Sequence, residues 1–258
     1  MRLRSALLSM ILTAAFLAYV PVAGADPTTA TSTPAAPQPA DIAAPKLGGN
    51  GQMDADFQKM HDSFLKCRIE GPIDILFLGD SITKRWSGSG KEVWEKNYAA
   101  LNAANFGIDG DKTQHVLWRI DNGELDGISP KVLVLLIGIN NIGSYPAEDI
   151  LAADTKIVHE IHEKLPQTKL LLLGIFPSGA NPNDAIVAEK RAKIIAVNKG
   201  LAALDDGDKT RYLDIGGRFL DADGKIPADI MPDAIHPNAK GYQIWVDAMA
   251  PLLGEMLK

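Results

Sequence analysis

A serine, a histidine and an aspartate are the residues of this chain whose types and settings suit covalent chemistry. Ser81 follows the apolar run 73–78 through Gly79-Asp80. Such a run reads as a buried strand, so Ser81 stands just beyond a sheet edge, presented to a crevice. A serine hydroxyl attacks a carbonyl only when a base takes its proton. Asp233-Ala234-Ile235-His236 supplies one. An acid three positions before a histidine can hold Nδ1–H within one turn, leaving Nε2 free to face a serine. Pro237 biases His236 away from helical geometry, which puts the pair in a stiff loop. Acyl transfer also needs donors aimed at the developing oxyanion. Gly107 ends a second short strand, where a glycine lets a backbone N–H approach a ligand. Asn140 brings a side-chain NH2 to the end of the strongest strand. With Ser81 N–H these make three donors.

Taken singly, each residue also has a plainer role. Asp80 or Ser81 can cap the next helix. An Asp-x-x-His pair can lie on a surface with no partner. Gly107 and Gly138 can serve only tight turns, and Asn140 can cap one of them.

The elements that must position these groups are visible in the periodicity. Helical spacing is expected over 53–69, 92–101, 113–120, 147–165 and 184–204, with a last helix from the N-cap Asn238 to about Leu257. Strands are expected over 73–78, 103–106, 132–137, 170–173 and 212–215. The strands are continuous apolar runs and alternate with helices. That pattern implies α/β class, a parallel sheet covered on both faces, in three layers. In such sheets the reactive site lies beyond the carboxyl ends of the strands. Gly79-Asp80-Ser81, Gly107, Gly138-Ile139-Asn140-Asn141 and Gly174 all fall there.

Composition bounds the function. Of 258 residues, 46% are hydrophobic and 22% charged, which excludes a wholly disordered, collagenous or multi-span membrane chain. The formal net charge of -6, with no dense basic run, gives no footprint for nucleic acid. One cysteine, Cys67, excludes an intrachain disulfide and a thiolate metal cluster. Residues 1–25 read as a secretory signal: Arg2 and Arg4, an apolar run from Ala6 to Val20, then Ala23-Gly24-Ala25 as a cleavage site. The run is shorter than the ~20 residues of a spanning helix, so no stable membrane anchor is expected after cleavage. Residues 26–52 are Thr-, Ala-, Pro- and Gly-rich and are expected to be a flexible linker, dispensable for activity. The folded domain is then 53–258.

Gly79-Asp80-Ser81, Gly107, Gly138-x-Asn140 and Asp233-x-x-His236 together, in this order and at strand ends, resemble the SGNH hydrolases, also called GDSL esterases and lipases. The resemblance covers about 70–258. It implies a three-layer α/β/α flavodoxin-like fold with about five parallel strands. It further implies nucleophile Ser81, base His236, acid Asp233, and oxyanion donors Ser81 N–H, Gly107 N–H and Asn140, with no metal and no cofactor. Asn105-Phe106-Gly107-Ile108-x-Gly110-Asp111, Gln114-His115-Val116-Leu117-Trp118-Arg119 and Leu136-Ile137-Gly138-x-Asn140-Asn141 resemble more finely the catalytic subunits of the intracellular type I platelet-activating factor acetylhydrolases. Those subunits are cytosolic, whereas this chain is expected to be exported, and Asp109 and Lys112 put charge into the glycine loop.

The expectation is therefore a secreted or periplasmic serine esterase for short, acetyl-like acyl groups. Export suggests a small-molecule or polysaccharide ester as substrate. An acyltransferase moving acetyl between sugar hydroxyls, and a non-catalytic carbohydrate-binding protein on the same fold, are the alternatives. Elsewhere, His159 and His162 share helical spacing that could bind metal, but a solvated face is the expected setting. His115 is expected as a hydrogen-bonded buried histidine, Cys67 as a packed side chain, and the four tryptophans as core or pocket wall.

Overall fold

The structure is a computed structural model and describes residues 38–258. The expected signal and the start of the linker, residues 1–37, lie outside the described residues. Five strands form one parallel sheet: β1 (Ile75–Gly79), β2 (Ala103–Gly107), β3 (Val132–Leu136), β4 (Lys169–Leu173) and β5 (Thr210–Leu213). Their order is β2-β1-β3-β4-β5, the flavodoxin-like order, with the chain reversing direction across the sheet between β1 and β3.

Successive strand side chains point to opposite faces, and the sheet divides two cores. Leu76, Leu78, Leu133 and Leu135 face one core with Phe57 and Phe64 of α1 (Ala55–Glu70). Val116, Leu117 and Ile120 of α4 (Thr113–Asp121) join them, as do Ile150 and Ile157 of α5 (Ala147–Lys164) and Ile194 and Val197 of α6 (Ala185–Leu201). Ile75, Phe77, Val132 and Val134 face the other core with α2 (Ser81–Lys84), α3 (Lys91–Asn97) and α7 (Ala239–Met256). That second core is aromatic: the Trp86 ring lies 4.3 Å from Tyr242 and 5.0 Å from Trp245, centroid to centroid.

The helix expected over 92–101 is shorter. It ends at Asn97, and a 3-10 turn, Ala99–Leu101, leads to Asn102 at φ 46. The last strand begins two residues earlier than its expected 212–215. Asn238 caps α7 as expected, accepting from Lys240 N and Gly241 N.

The expected linker needs a larger correction. Residues 38–52 lie against the domain rather than away from it. Ala40 is 1% exposed and belongs to the α4/α5 core, and Ala44 is buried. Leu47 pairs with Met53 in an antiparallel bridge. Small side chains let this strap lie close, and backbone hydrogen bonds replace the large apolar groups that it lacks. The domain therefore begins at least fifteen residues before position 53, as the described residues run.

Candidate active site

The end of β1 allows only one kind of residue. A Cβ on Gly79 would stand 2.2 Å from Leu136 O and 2.4 Å from Thr83 Oγ1. Asp80 then turns the chain into α2, with its Oδ1 accepting Ile82 N–H at 2.9 Å. The capping role therefore leaves Ser81 free for the nucleophilic role expected of it: the aspartate caps, and the serine opens the helix. Ser81 N–H lies in the first turn, where a helix offers no acceptor of its own.

The structure brings Ser81, His236 and Asp233 together. Ser81 Oγ lies 2.8 Å from His236 Nε2, and His236 Nδ1 lies 2.6 Å from Asp233 Oδ2. Only one proton arrangement satisfies both contacts with a carboxylate: Nδ1–H donates to Asp233, and Nε2 accepts from the serine hydroxyl. Asp233 Oδ1 also accepts His236 N–H at 2.8 Å and Ile235 N–H at 3.1 Å. Partial burial pushes this carboxyl up, but the donors of His236 and Ile235 prevail and hold it at about 2. Between acid and base, Ala234 adopts φ 57, a left-handed conformation that costs a residue with a Cβ about 1 kcal/mol. Met231 O accepts its N–H, and Gly179 N–H donates to its carbonyl at 3.0 Å. Arg85 Nη1 stands 3.8 Å from Asp233 Oδ2, and an open cleft of about 240 Å3 runs between Arg85, Ser89, Pro232, His236 and Asn238.

The two expected oxyanion residues flank β1, because Gly79 is in register with Gly107 on one side and Leu136 on the other. Gly107 departs from its expectation. A Cβ there would meet Lys84 N at 2.2 Å, so the glycine is required by the approach of α2. Its N–H donates to Asn105 Oδ1 at 3.0 Å. Asn105 Nδ2 is anchored in turn on Lys84 O and Ser87 Oγ. Use of Gly107 N–H by a substrate requires Asn105 Oδ1 to give way. Asn140 fares differently. Its Nδ2 donates to Asp111 O at 2.8 Å, across 29 residues of chain, and caps no turn of its own. An amide nitrogen carries two hydrogens, so this bond fixes the plane and leaves one donor over.

Arg119 was not singled out from the sequence as a site residue. It is fully buried on α4, beside Phe64. Its guanidinium pairs with Asp111 at 3.0 Å and Glu124 at 2.6 Å, and donates to Phe106 O at 3.0 Å and Gly79 O at 3.2 Å. Burial works against its charge, but the two carboxylates outweigh it and hold Arg119 charged. It therefore ties down the ends of β1 and β2, one residue before Asp80 and one before Gly107. A charge inside the apolar stripe of Val116 and Ile120 was the available signal.

Two buried carboxyls lie beneath the site. Asp80 Oδ2 and both oxygens of Asp154, on α5, have no hydrogen-bond partner. Burial pushes Asp80 up to about 7 against the pull of Ile82 N–H. Burial also pushes Asp154 well above the carboxylate range, and Asp80 adds to it. From the ordinary value of 3.8 to about 7, folded Asp80 holds a proton that the unfolded chain releases. Stability contributed here therefore falls as pH rises through that window. Asp80→Asn keeps an oxygen for Ile82 N–H and cannot titrate. Its melting temperature is expected to fall less than that of the unaltered protein between about pH 4 and pH 7. Some slope should remain, because Asp154 titrates in the same direction. Two melting curves running parallel across that range would show that Asp80 holds no buried proton.

The histidines at 115, 159 and 162 lie in separate settings. His162 Nε2 bonds Thr210 Oγ1 at 2.7 Å while His159 is exposed, so the two do not converge. His115 Nδ1 accepts Lys112 N–H at the start of α4. Cys67 packs against the α4/α5 core.

The family model for GDSL-like lipases and acylhydrolases matches residues 77–244, a span that holds Ser81, Asn140, Asp233 and His236. The alpha2 subunit of platelet-activating factor acetylhydrolase IB from Rattus norvegicus is 36% identical over 217 residues, covering 84% of this chain and 91% of that one. The alpha1 subunit from Bos taurus is 34% identical over 206 residues, covering 80% and 86%. Among solved structures, a GDSL-like lipase from Bacteroides thetaiotaomicron superimposes with a TM-score of 0.63 at 16% identity, covering 76% of this chain and 97% of that one. The acetyl xylan esterase AlAXEase gives 0.53 at 18%, covering 70% and 100%. At those identities the structures share the fold.

Proposed function

The chain belongs to the GDSL-like lipase and acylhydrolase family and is a hydrolase acting on esters, and we propose that it is an exported serine esterase that removes acetyl or similarly short acyl groups. The observation that carries this is the chain of contacts Ser81 Oγ–His236 Nε2 at 2.8 Å and His236 Nδ1–Asp233 at 2.6 Å. Ser81 Oγ attacks the ester carbonyl carbon as its proton passes to His236 Nε2. Asp233 is ionised down to about pH 2 and stabilises the imidazolium that forms. The carbonyl oxygen becomes an oxyanion facing Ser81 N–H and the second hydrogen of Asn140 Nδ2, with Gly107 N–H joining when Asn105 turns aside. His236 protonates the leaving alcohol. Water, losing its proton to the same nitrogen, then releases the acid and restores the serine.

The acetyl preference draws on the relatives named acetylhydrolase, which cover most of this chain. A hydroxyl-rich leaving alcohol, such as a polysaccharide, suits Arg85, whose guanidinium lines the cleft beside His236. It also suits export through the signal expected in residues 1–25, with release before Asp26. A chain-length series of aryl esters beside an acetylated polysaccharide tests the substrate. The expected result is kcat/KM highest for acetyl and falling at least tenfold by hexanoyl, an estimate from one to a few methylenes of misfit. A maximum at long acyl chains would replace the short-chain reading.

A further inference from the structure

The strap of residues 38–46 meets the domain on a strip behind the oxyanion side of the site. Tyr145 Oη donates to Gln38 O at 2.7 Å, Thr113 Oγ1 donates to Ala40 O at 2.8 Å, and Ala44 N donates to Gln114 O at 3.0 Å. Lys46 Nζ donates to Asp109 O. Apart from Lys156 Nζ of α5, which donates to Asp41 O at 2.9 Å, and Asp54 N–H, which donates to Lys46 O at 2.8 Å, the domain partners lie in two segments, 109–114 and the turn after β3. Those segments also grip each other. Asn141, fully buried, accepts Thr113 N–H at 3.1 Å and donates to Thr113 Oγ1 at 2.9 Å and Gln114 Oε1 at 3.2 Å. Gln114 Nε2 donates to Tyr145 Oη at 2.9 Å. One residue from Asn141 and two from Thr113, Asn140 Nδ2 donates to Asp111 O.

Thr113 is the crossing point. Its hydroxyl accepts from the asparagine next to Asn140 and donates into the strap, so three stretches of chain meet on one oxygen. A stabilising strap needs only to cover Ala40 and Ala44. This one also bonds the two segments that carry the ends of the Asn140–Asp111 bond, at Asp109, Thr113 and Gln114 on one and at Tyr145 on the other.

We propose that the strap is a positioning element for the reaction: it holds the 109–114 segment, and through Asp111 O it sets the amide plane of Asn140 toward the oxyanion. This rests on the reading of Asn140 as a donor in the proposed esterase. No strap atom need touch the substrate. A donor serves an oxyanion only within a narrow range of distance, and displacement of the order of 1 Å can cost up to a hundredfold in rate.

Thr113→Val keeps the shape of the side chain and removes both hydroxyl bonds. It is expected to lower kcat roughly tenfold with KM little changed, and Thr113→Ser should restore kcat, since the hydroxyl returns. The decisive measurement repeats Thr113→Val in an Asn140→Ala background. If the threonine acts through Asn140, the second substitution should add nothing to the loss in kcat. Tyr145→Phe, which frees Gln38 O and Gln114 Nε2, provides the same reading should Thr113→Val fail to fold. Losses that multiply in the double variant, or strap variants that lower the melting temperature with kcat intact, overturn the proposal. Should Asn140→Ala itself keep full kcat, the oxyanion reading falls first and the strap proposal falls with it.

Discussion

Ser81→Ala is expected to lower kcat by roughly 10³ to 10⁶ while the melting curve stays close to that of the unaltered protein. The side chain loses one atom and one hydrogen bond, to His236 Nε2. Ser81 N–H at the start of α2 and the cap from Asp80 survive the change. Binding and the remaining oxyanion donors persist, which is why a residual rate above that of water is expected. His236→Ala should cost a similar factor, and combining the two should cost little more, because the residues act as one unit. A fluorophosphonate probe should label the unaltered protein and leave Ser81→Ala unlabelled. Near-normal turnover by a clean preparation of Ser81→Ala would remove the serine mechanism altogether.

Asn140→Ala should lower kcat by roughly 10² to 10³ with little change in KM, because a donor to the oxyanion acts when the carbonyl oxygen becomes charged. The structure sharpens this expectation. Asn140 makes no hydrogen bond within its own turn, and its one recorded bond, to Asp111 O, leaves a second hydrogen available. Labelling by the fluorophosphonate should slow without stopping, since His236 still activates the serine. A variant with a lowered melting temperature and unchanged kcat would make Asn140 a brace between loops.

Much of this site was legible because parallel α/β folds place chemistry where apolar runs stop. Runs ending in Gly79, Gly107 and Gly138 marked three adjacent strand ends, and Asp233-x-x-His236 carried its own geometry within one turn. The short helix α2, Ser81–Lys84, was not legible, since four residues are too few to show a period. Gly107 was read as a donor by its strand-end position, yet its N–H is engaged by Asn105 two residues before it, a local bond with no pattern to reveal it. Arg119 is not legible, because a charge usually belongs to solvent and only the buried Asp111 and Glu124 make its position tolerable. The strap escapes sequence reasoning for a related reason. Composition measures large apolar groups, and residues 38–46 hold on through carbonyl oxygens and two buried alanines instead.

The sheet's division into two cores gives this protein an unequal set of optical labels. Trp86, Trp94 and Trp245 all lie in the aromatic core under α2, where Trp86 contacts the other two and all three contact Phe77. Trp118 alone sits on the opposite face, against Phe57 and His61. The tryptophans are therefore divided three to one in favour of the layer that carries the serine. Water entering that layer shifts most of the emission, and loosening of the strap side touches one fluorophore. Quenching and red shift thus report which half of the molecule opens first, with no dye attached.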